Sequence, residues 1–291
     1  MIDPAFEPQE TVFAALMRLR DALRSQEVVE ADAEARALLL AATGLSRVDF
    51  VLEPQRPLGA AAAARLQDFA ERRAAREPAS RILGTRGFWT LDIEVTPGVL
   101  DPRADTETVV ALALRLLGRR RAEPLSILDL GSGSGAILCA LLSELPAARG
   151  VAVDVSPVAC RATLRNLARS GVGDRGAALC GNWGEAICTS FDLVVSNPPY
   201  IRSTDIAALA PEVALHDPRT ALDGGQDGLL CYRRIVSDLP RLLRRGVGVA
   251  ALEAGAGQAP EIMELMRSAG LTVIGVERDL GGRERAIAAI W

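Results

Sequence analysis

Hydrophobic residues recur at helical spacing through the first eighty residues. The first series with this spacing is Val12, Ala15, Leu16, Leu19 and Leu23. A second segment follows, with apolar residues at Ala33, Ala37, Leu38 and Leu40. The alanine-rich run at 60–76 favours a further helix, which Pro78 ends. The pattern therefore predicts a helical N-terminal domain over residues 1–80.

The pattern changes after residue 80. Glycines and alternating apolar residues over 81–104 predict a β-hairpin linker. A helix is then predicted over 106–117, with Asp105 as its N-cap. Beyond Pro124, helical stretches separate most of a series of short apolar strands at 126–130, 151–153, 177–180, 191–195 and 248–252. This alternation is typical of a parallel sheet with helices on both faces.

The end of the chain departs from that alternation. Residues 271–276 and 286–291 are apolar runs joined by a glycine turn, which predicts a hairpin. The last strand is therefore expected to be antiparallel, at or near the edge of the sheet. Residues 105–291 as a whole predict a Rossmann-like α/β domain.

Composition removes several kinds of chemistry. The 291 residues include no lysine and a single histidine, His216. Schiff-base lysine enzymes and Walker A phosphate loops need the missing amine, and clusters of histidine metal ligands cannot be built. A Ser–His–Asp triad would have to use His216. We therefore expect chemistry that uses no metal.

Charge and cysteine content bear on partners and compartment. The formal net charge of −4 argues mildly against a protein that coats nucleic acid. The five cysteines form no Cys-x-x-Cys pair, which fits a reducing cytoplasm. The first residues lack a signal-peptide pattern, and no apolar run approaches membrane-spanning length. We expect a cytoplasmic protein with no membrane partner and no direct nucleic-acid binding.

A glycine-rich segment follows the first strand of the predicted sheet and opens a helix. Its candidate cofactor-binding residues are Asp129, Gly131, Ser132, Gly133, Ser134 and Gly135. Glycines permit a tight turn and close approach of a ligand, and the helix N-terminus adds oriented N–H groups. The Gly-x-Gly-x-Gly pattern after Asp129 favours S-adenosylmethionine over NAD, although the dehydrogenase fingerprint is satisfied too.

This candidate site is extended by two further residues, each of which lies at or after the end of another predicted strand. Asp154 ends the second strand about 20 residues beyond the glycines, the distance at which an acid reaches ribose hydroxyls. Trp183 follows the third strand and offers a flat apolar surface to an adenine ring.

The segment Asn197-Pro198-Pro199-Tyr200 lies at the carboxyl end of the fourth predicted strand, where open α/β sheets bind substrates. An amide or exocyclic amine is a poor nucleophile because its lone pair is delocalised. The Asn197 side-chain oxygen and the Pro198 carbonyl can accept both of its N–H bonds and favour a pyramidal nitrogen. Pro199 favours an extended Pro198, and Tyr200 can pack against a planar amide or base.

At these residues the chain resembles the peptide chain release factor N5-glutamine methyltransferases (the PrmC/HemK type) over essentially its whole length. The matching segments are 81–84, 96–107, 129–137, 153–157, 196–200 and 281–285. The resemblance implies a class I S-adenosylmethionine-dependent methyltransferase domain behind a helical substrate-recognition domain. It also implies methylation of the glutamine amide in the Gly-Gly-Gln motif of release factors.

The resemblance assigns roles to particular residues. The glycine loop, Asp154 and Asn197 would hold S-adenosylmethionine with Trp183 at the adenine, and Asn-Pro-Pro-Tyr would hold the glutamine amide. Arg103 and Glu107 are further candidates that could brace the substrate side of the site, although Glu107 could equally favour the start of its helix.

Two other substrates fit the same chemistry. One is a glutamine of a ribosomal protein, and the other is the N6 amine of adenine in a nucleic acid. The acidic charge and the lack of a separate target-reading domain stand against the nucleic acid. An NAD dehydrogenase or a non-catalytic binder would leave Asn-Pro-Pro-Tyr unexplained.

Overall fold

The computed structural model describes residues 5–291. The first four residues of the helical domain predicted over 1–80 lie outside that range. Contacts divide the chain into two compact units, Met1–Gly84 and Thr85–Trp291. Each unit has hydrophobic core clusters of its own. Among the residues described, no helix is both long enough and apolar enough to cross a membrane.

The described part of the first unit is helical. Its helices are α1 (Val12–Ser25), α2 (Ala31–Thr43), α3 (Arg47–Leu52), α4 (Ala60–Ala74) and α5 (Ala79–Leu83). The Thr11 hydroxyl caps α1 by accepting a hydrogen bond from the Ala14 N–H at 3.1 Å. Ser46 and Asp49 form a capping box at the start of α3.

Helix α2 buries one of the four apolar residues noted in this segment of the sequence. Leu38 is buried, Ala33 is exposed, and Ala37 and Leu40 are half-buried. The residues that α2 buries are Ala31, Ala35, Leu38, Leu39 and Ala42. Alanine and leucine occupy every position from 37 to 42, so the spacing of apolar residues does not distinguish adjacent faces there.

The second unit contains a two-stranded hairpin and a seven-stranded sheet. The hairpin strands are β1 (Thr85–Phe88) and β2 (Leu91–Glu94). The sheet strands are β3 (Ser126–Leu130), β4 (Arg149–Asp154), β5 (Gly176–Cys180), β6 (Leu193–Ser196), β7 (Val249–Glu253), β8 (Thr272–Arg278) and β9 (Glu284–Ile290).

The sheet is mostly parallel and ends in an antiparallel pair. Its strand order is β5-β4-β3-β6-β7-β9-β8, and the five strands from β5 to β7 run parallel. Strand β9 is antiparallel to both of its neighbours and lies one strand from the edge. The predicted α/β fold with an antiparallel C-terminal strand is confirmed.

Helices pack on both faces of this sheet. They are α6 (Glu107–Leu117), α7 (Ala136–Glu144), α8 (Pro157–Arg169), α10 (Leu230–Leu242) and α11 (Ala259–Ser268). The short helix α9 (Pro211–His216) lies between β6 and α10 in the chain and buries none of its residues. Ile127 joins the core cluster of α6 and α7, whereas the next residue, Leu128, joins that of α10 and α11. Strands buried on both faces must be apolar at nearly every position, and this explains the short apolar runs of the sequence.

The start of α6 corrects one prediction. Asp105 does not cap the helix, because Ala104–Thr106 form a tight 3-10 turn that runs directly into α6. The Asp105 carboxylate instead forms an ion pair with Arg285 at 3.2 Å. The N-cap position belongs to Thr106, whose side chain makes no capping hydrogen bond.

Candidate active site

The glycine loop joins β3 to α7 and is tied to the end of β4. The N–H groups of Gly131 and Ser132 both donate to the Val153 carbonyl, at 2.8 and 3.1 Å. Gly131 has φ +71°, a conformation that residues with a side chain rarely adopt. A Cβ atom at Gly131 would also lie 3.0 Å from Cζ3 of Trp183. The loop therefore depends on glycine for both its conformation and its packing.

Asp154 lies at the carboxyl end of β4 and is fixed by backbone N–H groups. Its Oδ2 accepts from the Gly133 N–H at 2.9 Å, and its Oδ1 accepts from the Ser156 N–H at 2.8 Å. The carboxylate thus belongs to the same rigid corner as the glycine loop.

Asp129 lies beneath the loop, near the end of β3, and is completely buried. Burial and, secondly, repulsion from the Asp154 carboxylate raise the pKa of Asp129 to about 7. The Leu138 N–H offsets this rise only in part, and neither carboxyl oxygen has a hydrogen-bond partner of normal geometry within residues 5–291. A buried carboxyl group without partners is costly, so Asp129 is a feature that stability alone does not explain.

The Asn-Pro-Pro-Tyr segment follows β6 at the same edge of the sheet. The Asn197 side chain donates from Nδ2 to the Thr106 hydroxyl at 3.0 Å. Gln258 supports the end of the segment by donating from Nε2 to the Tyr200 carbonyl at 3.1 Å. Burial and the Glu253 carboxylate raise the pKa of the Tyr200 phenol to about 12, so the phenol is neutral.

A cavity of about 280 Å³ opens where these segments meet. Of the residues predicted for the site, those that line it are Arg103, Gly131, Ser132, Gly133, Ser134, Asp154, Trp183, Asn197 and Pro199. The predicted residues that do not line it are Glu107, Asp129, Gly135, Pro198 and Tyr200. The cavity therefore brings together one face of the glycine loop, the end of β4 and one side of the Asn-Pro-Pro-Tyr segment.

Two family models match the chain. The PrmC N-terminal domain matches residues 14–84, and the methyltransferase small domain matches residues 107–236. The first match falls within the helical unit, and the second covers the glycine loop and the Asn-Pro-Pro-Tyr segment.

Curated relatives match most of the chain. A release factor glutamine methyltransferase of Caulobacter vibrioides is 41% identical over 281 residues, which are 96% of this chain and 96% of the relative. One from Rhodospirillum rubrum is 46% identical over 259 residues, which are 88% of this chain and 78% of the relative. The chain belongs to the release factor glutamine methyltransferase family.

One solved structure agrees with the fold of this methyltransferase. The catalytic domain of hMettl16, in complex with MAT2A 3'UTR hairpin 6, aligns with a TM-score of 0.56 at 16% identity. The alignment covers 79% of this chain and 81% of that chain. At this identity the likeness concerns the fold alone.

Arg103 and Glu107 have different places in the methyltransferase unit. The Arg103 guanidinium lines the cavity and forms an ion pair with the buried Asp217 carboxylate. Glu107 faces the hairpin, where its Oε1 accepts a hydrogen bond from the Trp89 N–H at 2.8 Å. Glu107 therefore anchors the β1–β2 turn to α6, and only Arg103 of the two is placed to meet a substrate.

Several residues around the site were not predicted from the sequence. Phe88, Val99, Thr106 and Cys231 line the cavity, and Glu253 lies buried behind Asn197 at the end of β7. Thr106 could have been noticed as a hydroxyl-bearing residue that directly precedes α6 and follows the Asp-Pro-Arg segment. No local motif marks Glu253, since its neighbours at the site come from distant parts of the chain.

Proposed function

We propose that this chain transfers a methyl group from S-adenosylmethionine to the side-chain amide nitrogen (N5) of the glutamine in the Gly-Gly-Gln motif of peptide chain release factors. One observation carries the proposal within the structure. Asn197 commits its Nδ2 to Thr106 at the edge of the cavity, and this leaves Oδ1 as an acceptor for an amide N–H. The names of the curated relatives support the same substrate.

The cavity residues suit S-adenosylmethionine. The backbone of the glycine loop would lie against the amino-acid part of the cofactor, Asp154 would meet the ribose hydroxyls, and Trp183 would lie against the adenine. Trp183 lies close to the glycine loop, since a Cβ atom at Gly131 would lie 3.0 Å from its Cζ3 atom. When bound, S-adenosylmethionine supplies a methyl group activated by a positively charged sulfur.

The chain's own residues would act on the amide by positioning it. Asn197 Oδ1 and the Pro198 carbonyl would accept the two N–H bonds of the glutamine side chain and aim the nitrogen lone pair at the cavity. Arg103, held by Asp217, would line the entrance to this position. Such positioning, with preorganised hydrogen bonds, supplies most of the catalysis when no proton has to be removed first.

We further propose that the helical unit recognises the body of the release factor. Helix α3 supports this role, because Val48, Val51 and Leu52 are between 65% and 73% exposed. Exposed apolar residues grouped on one short helix are typical of a protein contact surface. Since release factors work on ribosomes, the reaction would take place in the cytoplasm, where the five free cysteines would stay reduced.

The test is to incubate the full chain with a release factor and isotopically labelled S-adenosylmethionine, and to locate the methyl group by mass spectrometry. The expected result is one labelled methyl on the glutamine of the Gly-Gly-Gln motif. A release factor with glutamate in place of that glutamine is the matched control and should stay unlabelled. No label on the release factor, together with label on a ribosomal-protein glutamine or on adenine in parallel incubations with those substrates, would overturn the proposal.

A further inference from the structure

Glu253 is a buried acid that the proposed reaction does not use directly. It is the last residue of β7, is 1% exposed and does not line the cavity. The hydroxyl groups of Thr106 and Tyr200 lie near its carboxyl group and stabilise its charged form, as does the Arg285 guanidinium. Its Oε2 has no partner within residues 5–291. Such a group needs an explanation, because a buried carboxyl oxygen without a partner is destabilising.

Thr106 connects Glu253 to Asn197. Its hydroxyl oxygen accepts a hydrogen bond from Asn197 Nδ2 at 3.0 Å, and the residue is 5% exposed. A hydroxyl group has one proton to donate, whereas an ionised carboxylate can only accept. When Glu253 is ionised, the Thr106 proton is therefore directed at Glu253, and the Thr106 oxygen accepts from Asn197 Nδ2.

The direction of these hydrogen bonds decides which end of the Asn197 amide faces the substrate. An asparagine side chain presents an oxygen on one side and an NH₂ group on the other. With Nδ2 held by Thr106, Oδ1 points away from Thr106 and can accept. If the side chain were reversed, its NH₂ group would face the N–H bonds of a substrate amide, and two donors would meet.

We infer that Glu253, acting through Thr106, fixes the orientation of the Asn197 amide and so makes its oxygen the acceptor for the substrate nitrogen. Glu253 and Thr106 are positioning residues, because both act on the substrate through Asn197. The inference rests on the proposed amide substrate, but the orientation of Asn197 is a property of the free protein and can be measured separately.

Activity gives the first measurement. Thr106→Val removes the hydroxyl at nearly constant volume, whereas Thr106→Ser keeps it. We expect Thr106→Val to lower kcat about 10- to 100-fold, by analogy with the loss of a hydrogen bond that orients a metal ligand. The KM for the release factor and the affinity for S-adenosylhomocysteine should change little, and Thr106→Ser should retain most of the activity. Equal losses in both variants, or a change confined to KM, would overturn the inference.

Nuclear magnetic resonance gives a second measurement that needs no turnover. The sequence contains three asparagines, Asn166, Asn182 and Asn197, so labelling asparagine with nitrogen-15 yields three side-chain NH₂ groups. Asn197→Asp identifies the Asn197 signals. Asn166 is an internal reference, since its Nδ2 donates to the Ser134 carbonyl at 2.9 Å and to the Glu94 carbonyl at 3.2 Å.

Glu253→Gln is the decisive variant in this measurement. Glutamine can donate to Thr106, so the hydroxyl is no longer forced to accept from Asn197. We expect the Asn197 signals to shift and to exchange faster with solvent, while those of Asn166 stay unchanged. Unchanged Asn197 signals would refute the inference even if glutamine methylation is confirmed. Shifted signals in a protein that does not methylate release factor would refute the proposed substrate and leave the orienting role of Glu253 standing.

Discussion

Replacing Asp129 by asparagine should stabilise the free protein at neutral pH. The pKa of Asp129 is about 7 in the folded protein and 3.8 in the unfolded chain, a difference of about three pKa units. At 1.36 kcal/mol per unit this corresponds to about 4 kcal/mol of lost stability above pH 7. Between pH 4 and 7 the folded protein holds the Asp129 proton more often than the unfolded chain does. The free energy of unfolding therefore falls as the pH rises through that window.

Urea unfolding at pH values from 4 to 8 measures the effect. The Asp129→Asn variant should have nearly the stability of the parent protein at pH 4, where the aspartate is neutral in the folded protein and only partly ionised in the unfolded chain. At pH 8 it should be more stable by up to about 4 kcal/mol. A variant that is less stable than the parent at pH 8, or that keeps the same pH dependence, would refute the assignment of a raised pKa to Asp129.

Asp192 provides a matched control, because its pKa is shifted in the opposite direction to that of Asp129. It is buried too, but its carboxylate accepts from the Ser126 N–H at 2.9 Å and pairs with Arg120 at 2.8 Å and Arg244 at 2.7 Å. Burial opposes the charge, yet these partners lower the pKa of Asp192 below its usual value. Its stabilising contribution is present above the unfolded pKa and is lost as the pH falls. Asp192→Asn should therefore be destabilising at pH 8.

Three further predictions concern the cavity. Asn197→Ala removes the proposed acceptor for the substrate amide and should lower the rate about 10²–10³-fold; a loss below fivefold in a methyl-transfer assay would contradict the proposed role. Gly131→Ala adds backbone strain of about 1–2 kcal/mol and a contact at 3.0 Å with Trp183. Calorimetry with S-adenosylhomocysteine should show a larger loss of affinity than for Gly133→Ala, where the strain is similar but the nearest atom is 3.9 Å away. Burial raises the pKa of Glu253 to about 7, with Asp105 raising it further and Thr106, Arg285 and Tyr200 opposing. Only the ionised form of Glu253 orients Asn197 through Thr106, so the rate should rise as the pH rises through about 7. Glu253→Gln should abolish that rise, and an identical pH profile in the variant would argue against the orienting role of Glu253.

The sequence predicts the sheet better than it predicts the site. Strand β3 has the predicted bounds 126–130, because a short apolar run stands between Pro124 and the glycine loop. Such signals are local, since they depend on residues that are neighbours along the chain. The glycine loop is recognisable for the same reason: its positive φ angles require glycine at fixed positions.

The contacts behind Asn197 could not be predicted in this way. Thr106 is 91 residues from Asn197 in sequence, and Glu253 comes from another strand. Their side chains meet because the parallel order places the ends of β6 and β7 side by side and α6 begins near the same edge. For Glu107 the sequence left two roles open, bracing the site or favouring the start of its helix, and it gave no sign that the carboxylate accepts from the Trp89 N–H.

The hydrogen bonds that tie the glycine loop to β4 have a thermodynamic consequence for cofactor binding. The donors Gly131, Ser132 and Gly133 are already bonded to Val153 or Asp154 within the protein, so the loop is ordered by folding and not by the ligand. Binding then loses little backbone entropy, and a larger share of the contact energy appears as affinity. We expect the heat capacity change on binding to match the apolar surface covered in the cavity, without the larger change that accompanies coupled folding.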